Sequence, residues 1–193
     1  VVLIDSDYVP FPGRSSLDLV GIDNFRGGYV VTEHLLKAGA RRVDFFGRPY
    51  SAHTILLRQR GYRSALLDHG ITPEGDWIHS GDPEDQEWVA EELLQKGVTD
   101  LICSNDETAA PLMHTLDSIS VSIPSQMRIV GFDDVRYAQL LKVPLTTFHQ
   151  PVSDIGIAAV ELMLWRLSNP NLRARQITLS GELIIRRSSE RML

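Results

Sequence analysis

The run Arg128-Ile129-Val130-Gly131-Phe132-Asp133-Asp134 places two adjacent carboxylates directly after an apolar, β-branched stretch. The same arrangement occurs twice upstream, where residues 19–22 lead into Asp23-Asn24 and residues 101–104 lead into Asn105-Asp106. In open α/β sheets, ligands bind outside the carboxyl ends of the strands. Three predicted strands therefore bring polar side chains to one edge of a sheet.

Short β-branched runs alternate with longer segments of helical period along the whole chain, a pattern typical of strands that feed crossover helices in a mostly parallel sheet. Gly39, Gly70 and Gly97 stand where three of the helices would end. Helices are predicted over residues 26–38, 53–69, 85–96 and 154–167. Strands are predicted over residues 1–4, 19–22, 42–46, 76–79, 101–104, 128–132, 146–149 and 177–185. The fold class is α/β.

Composition excludes several classes of protein. A formal charge of −6, with only three lysines among 19 basic residues, argues against direct binding of nucleic acid. The single cysteine, Cys103, excludes an internal disulfide. No apolar run approaches the ~20 residues that span a bilayer. We therefore expect a cytoplasmic protein that does not contact a membrane.

Catalytic motifs are missing from the chain. It contains no G-x-S-x-G, H-E-x-x-H or phosphate-loop pattern, and its six histidines form no i,i+4 pair for a metal. Cys103 at a strand end is typical of a small buried hydrophobic residue. We therefore expect no catalytic residue, no metal and no cofactor.

The polar strand ends have competing interpretations. Asp106 is best explained as a cap of the next helix, because carboxylates there satisfy free backbone N–H groups. Asp133 is better explained as a ligand contact, since two adjacent carboxylates exceed what one cap needs. Arg58 and Thr54 lie one turn apart on one helix face and could point together into the crevice. Arg58 could equally be a solvated helix charge.

Several phrases of the sequence resemble the LacI/GalR family of transcriptional regulators, the lactose-repressor and purine-repressor type, along the whole chain. Each phrase alone is weak evidence for the family, but all of them together in this order are specific to it. They are Gly21-Ile22-Asp23-Asn24 with Gly27-Gly28, His34-Leu35-Leu36-Lys37-Ala38-Gly39, Arg58-Gln59-Arg60-Gly61-Tyr62, Ser104-Asn105-Asp106, Val130-Gly131-Phe132-Asp133-Asp134, Pro144-Leu145-Thr146-Thr147-Phe148-His149-Gln150-Pro151, and Arg186-Arg187-Ser188.

The resemblance implies a periplasmic-binding-protein-like fold of type I, in which two Rossmann-like subdomains are joined by three crossover segments. The crossings are expected near Gly47, Gln150 and Asn169-Pro170. Residues 1–47 would form a partial N-terminal subdomain, completed by about 150–169. Residues 48–149 would form the C-terminal subdomain, completed by about 170–193. The first subdomain is then truncated at its N-terminus.

The resemblance also implies a site for a small effector, a sugar or similar polar metabolite, in the cleft between the subdomains. Pro83 occupies the position where many relatives place an aromatic that stacks on the effector. The cleft residues that carry over to this sequence are Asp23, Thr54, Arg58, Asn105 and Asp133.

The function implied is that of the effector-binding and dimerisation part of a repressor. Its partners would be a second copy of itself and, only through a helix-turn-helix with no counterpart in this chain, operator DNA. Two other functions share the fold class. One is a periplasmic sugar-binding protein of a transporter, and the other is an α/β enzyme that handles sugars or nucleotides, although no G-x-G-x-x-G turn supports the latter.

Overall fold

The computed structural model describes residues 1–9, 12–49, 52–73 and 76–190. Two β-sheets divide the strands between them. The first has three parallel strands in the order β1-β2-β8: β1 Val2–Ile4, β2 Asp18–Ile22 and β8 Gln176–Leu179. Helix α5, Val152–Ser168, packs on this sheet.

The second sheet has six strands in the order β4-β3-β5-β6-β7-β9. All its pairs are parallel except β7 with β9. The strands are β3 Asp44–Gly47, β4 Ile78–Ser80, β5 Asp100–Cys103, β6 Arg128–Asp133, β7 Thr146–His149 and β9 Glu182–Ile184. The helices between these strands are α1 Asn24–Lys37, α2 His53–Asp68, α3 Gln86–Val89 and α4 Asp106–Ser118. The expected α/β fold is confirmed.

Two hydrophobic cores cover the two faces of the second sheet. Alternate residues of one strand contribute to different cores: Phe45 packs with α1 and α2 residues, whereas Phe46 packs with α4 residues. Ile102 and Leu101 divide in the same way. Strands buried on both faces read as nearly continuous apolar runs, which explains why this sheet was recognisable in the sequence.

Short irregular helices complete the second sheet's connections. The helix predicted over residues 85–96 is α-helical only in α3, and it continues as a π-helical turn over Ala90–Leu94. Single 3-10 turns cover Arg136–Gln139 and Arg187–Ser189.

The crossings between the sheets differ from those expected. Near the expected position Gln150, the chain passes at Gln150-Pro151 from β7 of the second sheet to α5, which packs on the first. The crossing expected near Gly47 lies instead at Asp23, between β2 and α1, because β3 pairs with β4 and β5. The crossing expected at Asn169-Pro170 lies instead at Ser180-Gly181, because β8 pairs with β2 and β9 pairs with β7.

These pairings also change the expected subdomain boundaries. The strand at Asp44–Gly47, assigned to the N-terminal subdomain by the 1–47 boundary, lies in the second sheet. The strand at Gln176–Leu179, assigned to the C-terminal subdomain by the 170–193 boundary, lies in the first sheet. The single strand predicted over residues 177–185 is thus two strands in two sheets.

Helices α1 and α2 approach closely because glycines stand at their contact. A Cβ atom on Gly61 of α2 would overlap the carbonyl oxygen of Phe25 in α1. A Cβ atom on Gly28 of α1 would overlap the carbonyl oxygen of Arg58 in α2. Backbone lies against backbone here, so the contact has no room for any side chain.

We expect Gly61→Ala to lower the free energy of unfolding by at least ~2 kcal/mol, because the added methyl group forces the helix backbones apart. Gly156→Ala in α5 is the matched control, since a Cβ there meets no atom within 4 Å. The control should be neutral or stabilising by about 0.5–1 kcal/mol, as for Gly to Ala within a helix. Urea unfolding measures both, and equal effects of the two substitutions would contradict the close contact.

Candidate functional site

Arg58 lies at the centre of the site. Its side chain projects from α2 and is buried, with the residue only 4% exposed. Its Nε donates a hydrogen bond to Asn24 Oδ1 at 2.8 Å, and its Nη1 donates to the carbonyl oxygen of Ser104 at 2.6 Å. The guanidinium therefore joins the start of α1 to the end of β5.

The end of β6 completes the surroundings of this guanidinium. The Cζ of Arg58 lies 3.6 Å from the ring centroid of Phe132, and Nη2 lies 3.5 Å from Asp133 Oδ1. Burial lowers the pKa of Arg58, and the negative charges of Asp133, Asp5 and Asp106 oppose that shift. Arg58 is thus not the solvated helix charge that was the alternative.

Asp133 and Asp134 form an unusual turn after β6. Both have positive φ angles, 110° and 56°, which non-glycine residues rarely adopt. Gln150 Nε2, on the crossing from β7 to α5, donates a hydrogen bond to Asp133 Oδ1. Burial raises the pKa of Asp133, against the lowering effects of Arg58 and Gln150.

Asp134 faces a different set of partners from Asp133. Its Oδ1 accepts a hydrogen bond from Arg186 Nη2 at 2.7 Å, and its Oδ2 lies 3.0 Å from His149 Nδ1. The two adjacent carboxylates are therefore directed apart, Asp133 towards Arg58 and Asp134 towards β7 and the chain after β9.

The interpretation of Asp106 as a helix cap is wrong. The cap of α4 is Asn105, whose Oδ1 accepts a hydrogen bond from the N–H of Thr108 at 2.9 Å. Asp106 is fully buried, and it accepts hydrogen bonds from the N–H of Val135 at 3.0 Å and from Thr147 Oγ1 at 2.7 Å. Its carboxylate thus contacts the turn after β6.

Asp5 is a site residue that sequence reasoning missed. It directly follows β1, has a φ of 66°, and its Oδ1 is buried without a hydrogen-bond partner among the described residues. Its negative charge acts on both Arg58 and Asp133. The first sheet therefore presents an unpartnered acceptor towards the Arg58 cluster. The strand-end rule applied to residues 1–4 would have identified it.

The five predicted site residues fall into two groups. Arg58 and Asp133 are brought together, and Thr54 is buried on α2 one turn before Arg58. Asp23 is instead an exposed cap of α1, accepting from the N–H of Arg26 at 2.8 Å, and Asn105 caps α4. Their neighbours Asn24 and Ser104 hold Arg58.

Two depressions of similar size lie on the surface. One of about 520 Å³ borders the site and is lined by Asp133, Asp134, His149, Gln150 and the first turn of α5. The other, of about 530 Å³, lies beside α4, lined by Met113, His114, Lys142 and neighbours, and includes none of the strand-end residues. Of these two, only the first includes Asp133, the partner of Arg58, so it marks the candidate site better.

The described residues form neither a metal-binding cluster nor a membrane-spanning helix. Within the described ranges, no group of three or more His, Cys, Asp or Glu side chains is arranged to hold a metal ion. None of the helices in those ranges has the length and apolar character needed to cross a bilayer.

Known proteins share this architecture. A family model described as a periplasmic binding protein-like domain matches residues 32–189. The HTH-type transcriptional repressor PurR of Histophilus somni (strain 2336) is 28% identical over 190 residues, covering 96% of this chain and 56% of the relative. PurR of Photobacterium profundum is 30% identical over 167 residues, covering 84% of this chain and 50% of the relative. A LacI family transcriptional regulator from Enterococcus faecium, with bound ribose, has a TM-score of 0.83 and 26% identity, covering 97% of this chain and 69% of that chain.

Two sheets joined by three crossings, with polar residues at facing strand ends, define the class of periplasmic-binding-protein-like domains. The chain belongs to this family, and the regulators it matches place it with the LacI/GalR type. The resemblance seen in the sequence is confirmed. The named relatives are described as transcriptional regulators, not as enzymes. The chain spans about half the length of these curated relatives.

The buried Asp106 predicts a specific dependence of stability on pH. Burial, together with the charges of Asp133 and Asp134, raises the pKa of Asp106 from 3.8 to about 6, against its hydrogen bonds. The folded protein then binds a proton more tightly than the unfolded chain does. The stability that Asp106 contributes is therefore full below pH ~4 and is lost as pH rises through about 6.

We expect the free energy of unfolding of the wild type to fall, relative to that of Asp106→Asn, as pH rises from 4 to 7. The slope of the difference should be at most about 1.4 kcal/mol per pH unit, the limit for one proton. Urea unfolding of both proteins in the same buffers measures it. Parallel curves would show that the carboxyl titrates as it does in the unfolded chain.

Proposed function

We propose that this chain is the effector-binding domain of a LacI-type transcriptional repressor and that it binds a small polyhydroxylated molecule between its two sheets. The observation that carries the proposal is the buried Oδ1 of Asp5, which has no hydrogen-bond partner in the described part of the chain and whose carboxylate acts on Arg58 and Asp133. Buried polar atoms in native proteins are nearly always hydrogen-bonded, so an orphaned one indicates a missing donor. A hydroxyl or N–H group of an effector would supply it.

The chemistry of the site favours a sugar or a nucleoside-like molecule. Carboxylates accept strong, charge-assisted hydrogen bonds from hydroxyl and N–H groups, while a guanidinium donates to ring and hydroxyl oxygens. Asp5 and Asp133 lie on different sheets, so one polyol could bond to both. The Enterococcus faecium regulator with bound ribose, 26% identical to this chain, supports a pentose as the first probe.

We assign the contacts to Asp5, Arg58 and Asp133, with Thr54 and Asn105 as neighbouring lining residues. Thr54 lies on the same helix as Arg58, and Asn105 follows the carbonyl group that Arg58 binds. We assign Asp23 a capping role only, because it is exposed and bonded to the start of α1.

Regulation would follow from closure of the two sheets on the effector. A ligand that bridges Asp5 and Asp133 binds the closed arrangement better than the open one, so it shifts the population towards closure. In a longer repressor, this closure would alter the placement of DNA-binding parts, and operator DNA would in turn alter effector affinity by the same factor. Such a repressor would act on DNA in the cytoplasm and would respond to the effector concentration there.

We expect the chain to bind D-ribose in isothermal titration calorimetry, and Asp5→Asn to weaken that binding about tenfold through loss of a charge-assisted bond. The same substitution acts on an oxygen that has no hydrogen-bond partner among the described residues, so it should not lower the melting temperature of the ligand-free protein. Weaker D-ribose binding with an unchanged melting temperature would show that Asp5 contributes to binding and not to folding.

The matched control is Asp23→Asn, because asparagine also caps helices well and Asp23 is exposed. It should bind D-ribose as the wild type does. If a nucleoside such as adenosine binds and D-ribose does not, the effector is nucleoside-like. If Asp5→Asn leaves affinity for the bound compound unchanged, the site assignment is wrong.

We propose further that the chain forms a homodimer, as the repressor role requires of a protein that presents two DNA-reading parts. Sedimentation velocity of the chain at about 10 µM tests this, since functional dimers bury enough surface to persist at that concentration. We expect a dimer. A strict monomer would instead favour a transporter's sugar-binding protein.

A further inference from the structure

The turn after β6 carries the site's Asp133, and its backbone needs external support. Asp133 and Asp134 are consecutive non-glycine residues with positive φ angles, 110° and 56°. Such conformations persist only where surrounding structure holds them, and they gather at functional sites. The contacts that hold this turn therefore bear on how Asp133 is presented.

Two side chains from neighbouring elements bind the backbone of this turn. Thr147 Oγ1, on β7, accepts a hydrogen bond from the N–H of Asp134 at 3.2 Å. Asp106 Oδ2, at the start of α4, accepts from the N–H of Val135 at 3.0 Å. The two are linked, because Thr147 Oγ1 donates to Asp106 Oδ1 at 2.7 Å. We call Asp106 and Thr147 the turn clamp.

A glycine in β6 leaves the space that the side chains of the turn clamp occupy. Gly131 of β6 pairs with Thr147 of β7, and a Cβ atom on Gly131 would overlap Asp106 Oδ1. Asp106 and Thr147 are both 0% exposed. The acceptor side chains are therefore buried, while the N–H groups that they bind are partly buried. A lost acceptor leaves such an N–H group with few alternative partners, which costs free energy.

The turn held by the clamp sets the directions of two carboxylates, those of Asp133 and Asp134. Asp133 points to Arg58 and Gln150, on the side of the effector site. Asp134 points instead to His149 and Arg186, away from Arg58. If the turn relaxed to ordinary φ values, both carboxylates would leave these partners.

We propose that Asp106 and Thr147 are positioning residues that hold the strained turn and so present the Asp133 carboxylate to the effector without touching the effector themselves. This inference rests on the proposed effector site. It differs from that proposal because the turn clamp leaves a signature in the ligand-free protein.

The first arm of the test measures D-ribose affinity by calorimetry. Thr147→Val keeps the shape of the side chain but removes the hydroxyl, and we expect it to weaken binding about tenfold or more, as for a lost bond to a charged group. Thr147→Ser restores the hydroxyl and should restore the affinity. The matched control is Thr32→Val, another fully buried threonine, whose hydroxyl bonds to Gly28 within α1.

The second arm measures amide hydrogen exchange of Asp134 and Val135 by NMR in the ligand-free proteins. Thr147→Val should speed exchange of these two amides about tenfold beyond any change at core amides, because the local opening free energy falls. Thr32→Val and Thr147→Ser should show no such local excess.

The outcomes separate the two proposals. If the wild type does not bind D-ribose, the pentose assignment fails, and the exchange arm alone decides the turn clamp. If Thr147→Val matches Thr32→Val in both arms, the turn does not depend on the clamp and the inference is overturned. Weaker binding that Thr147→Ser fails to rescue would also overturn it, since the hydroxyl would then not be the cause.

Discussion

The burial of the Arg58 guanidinium is the constraint on which the rest of the site depends. Taking this charge out of water costs free energy that only well-placed partners can offset. Separate parts of the fold supply these partners: α1 gives Asn24, the residue after β5 gives the carbonyl of Ser104, and β6 gives both Phe132 and Asp133. The glycine contact between α1 and α2 serves the same end, because it lets the backbone carrying Arg58 approach the start of α1.

The same arrangement explains why we place the proposed site between the sheets and not within one of them. Arg58 and its partners belong to the second sheet and its helices, whereas Asp5 belongs to the first. The charge of Asp5 acts across the gap on Arg58 and Asp133, yet its Oδ1 has no hydrogen-bond partner within the described ranges. A molecule that completes this contact would link the two sheets.

Much of the fold could be predicted because local patterns specify strands and helices. Which sheet a strand joins is a long-range property, and the sequence does not record it locally. Residues 177–185 were predicted as one strand because apolar and β-branched residues stand at both ends, yet the chain changes sheets at Ser180-Gly181 between them. Likewise, Asp44–Gly47 follows α1 as any βαβ strand would, and nothing in its composition shows that α1 has already left the first sheet.

The candidate site could also be predicted only in part, because local sequence does not determine the role of each polar residue at a strand end. The strand-end rule found Asp133, and the resemblance favoured Arg58, but neither could tell which of two adjacent polar residues caps a helix. In Asp23-Asn24 the first caps and the second binds Arg58, and in Asn105-Asp106 the first caps while the second binds the turn after β6. The backbone geometry at each strand end determines which of the two residues caps the helix.

A crystal structure of the chain grown with D-ribose tests the central claim most directly. The account predicts sugar density in the gap between the sheets, with hydroxyl groups bonded to Asp5 Oδ1 and Asp133 and an oxygen facing the Arg58 guanidinium. Sugar density in the groove beside α4, lined by Met113, His114 and Lys142, with the gap between the sheets left to solvent, would contradict it.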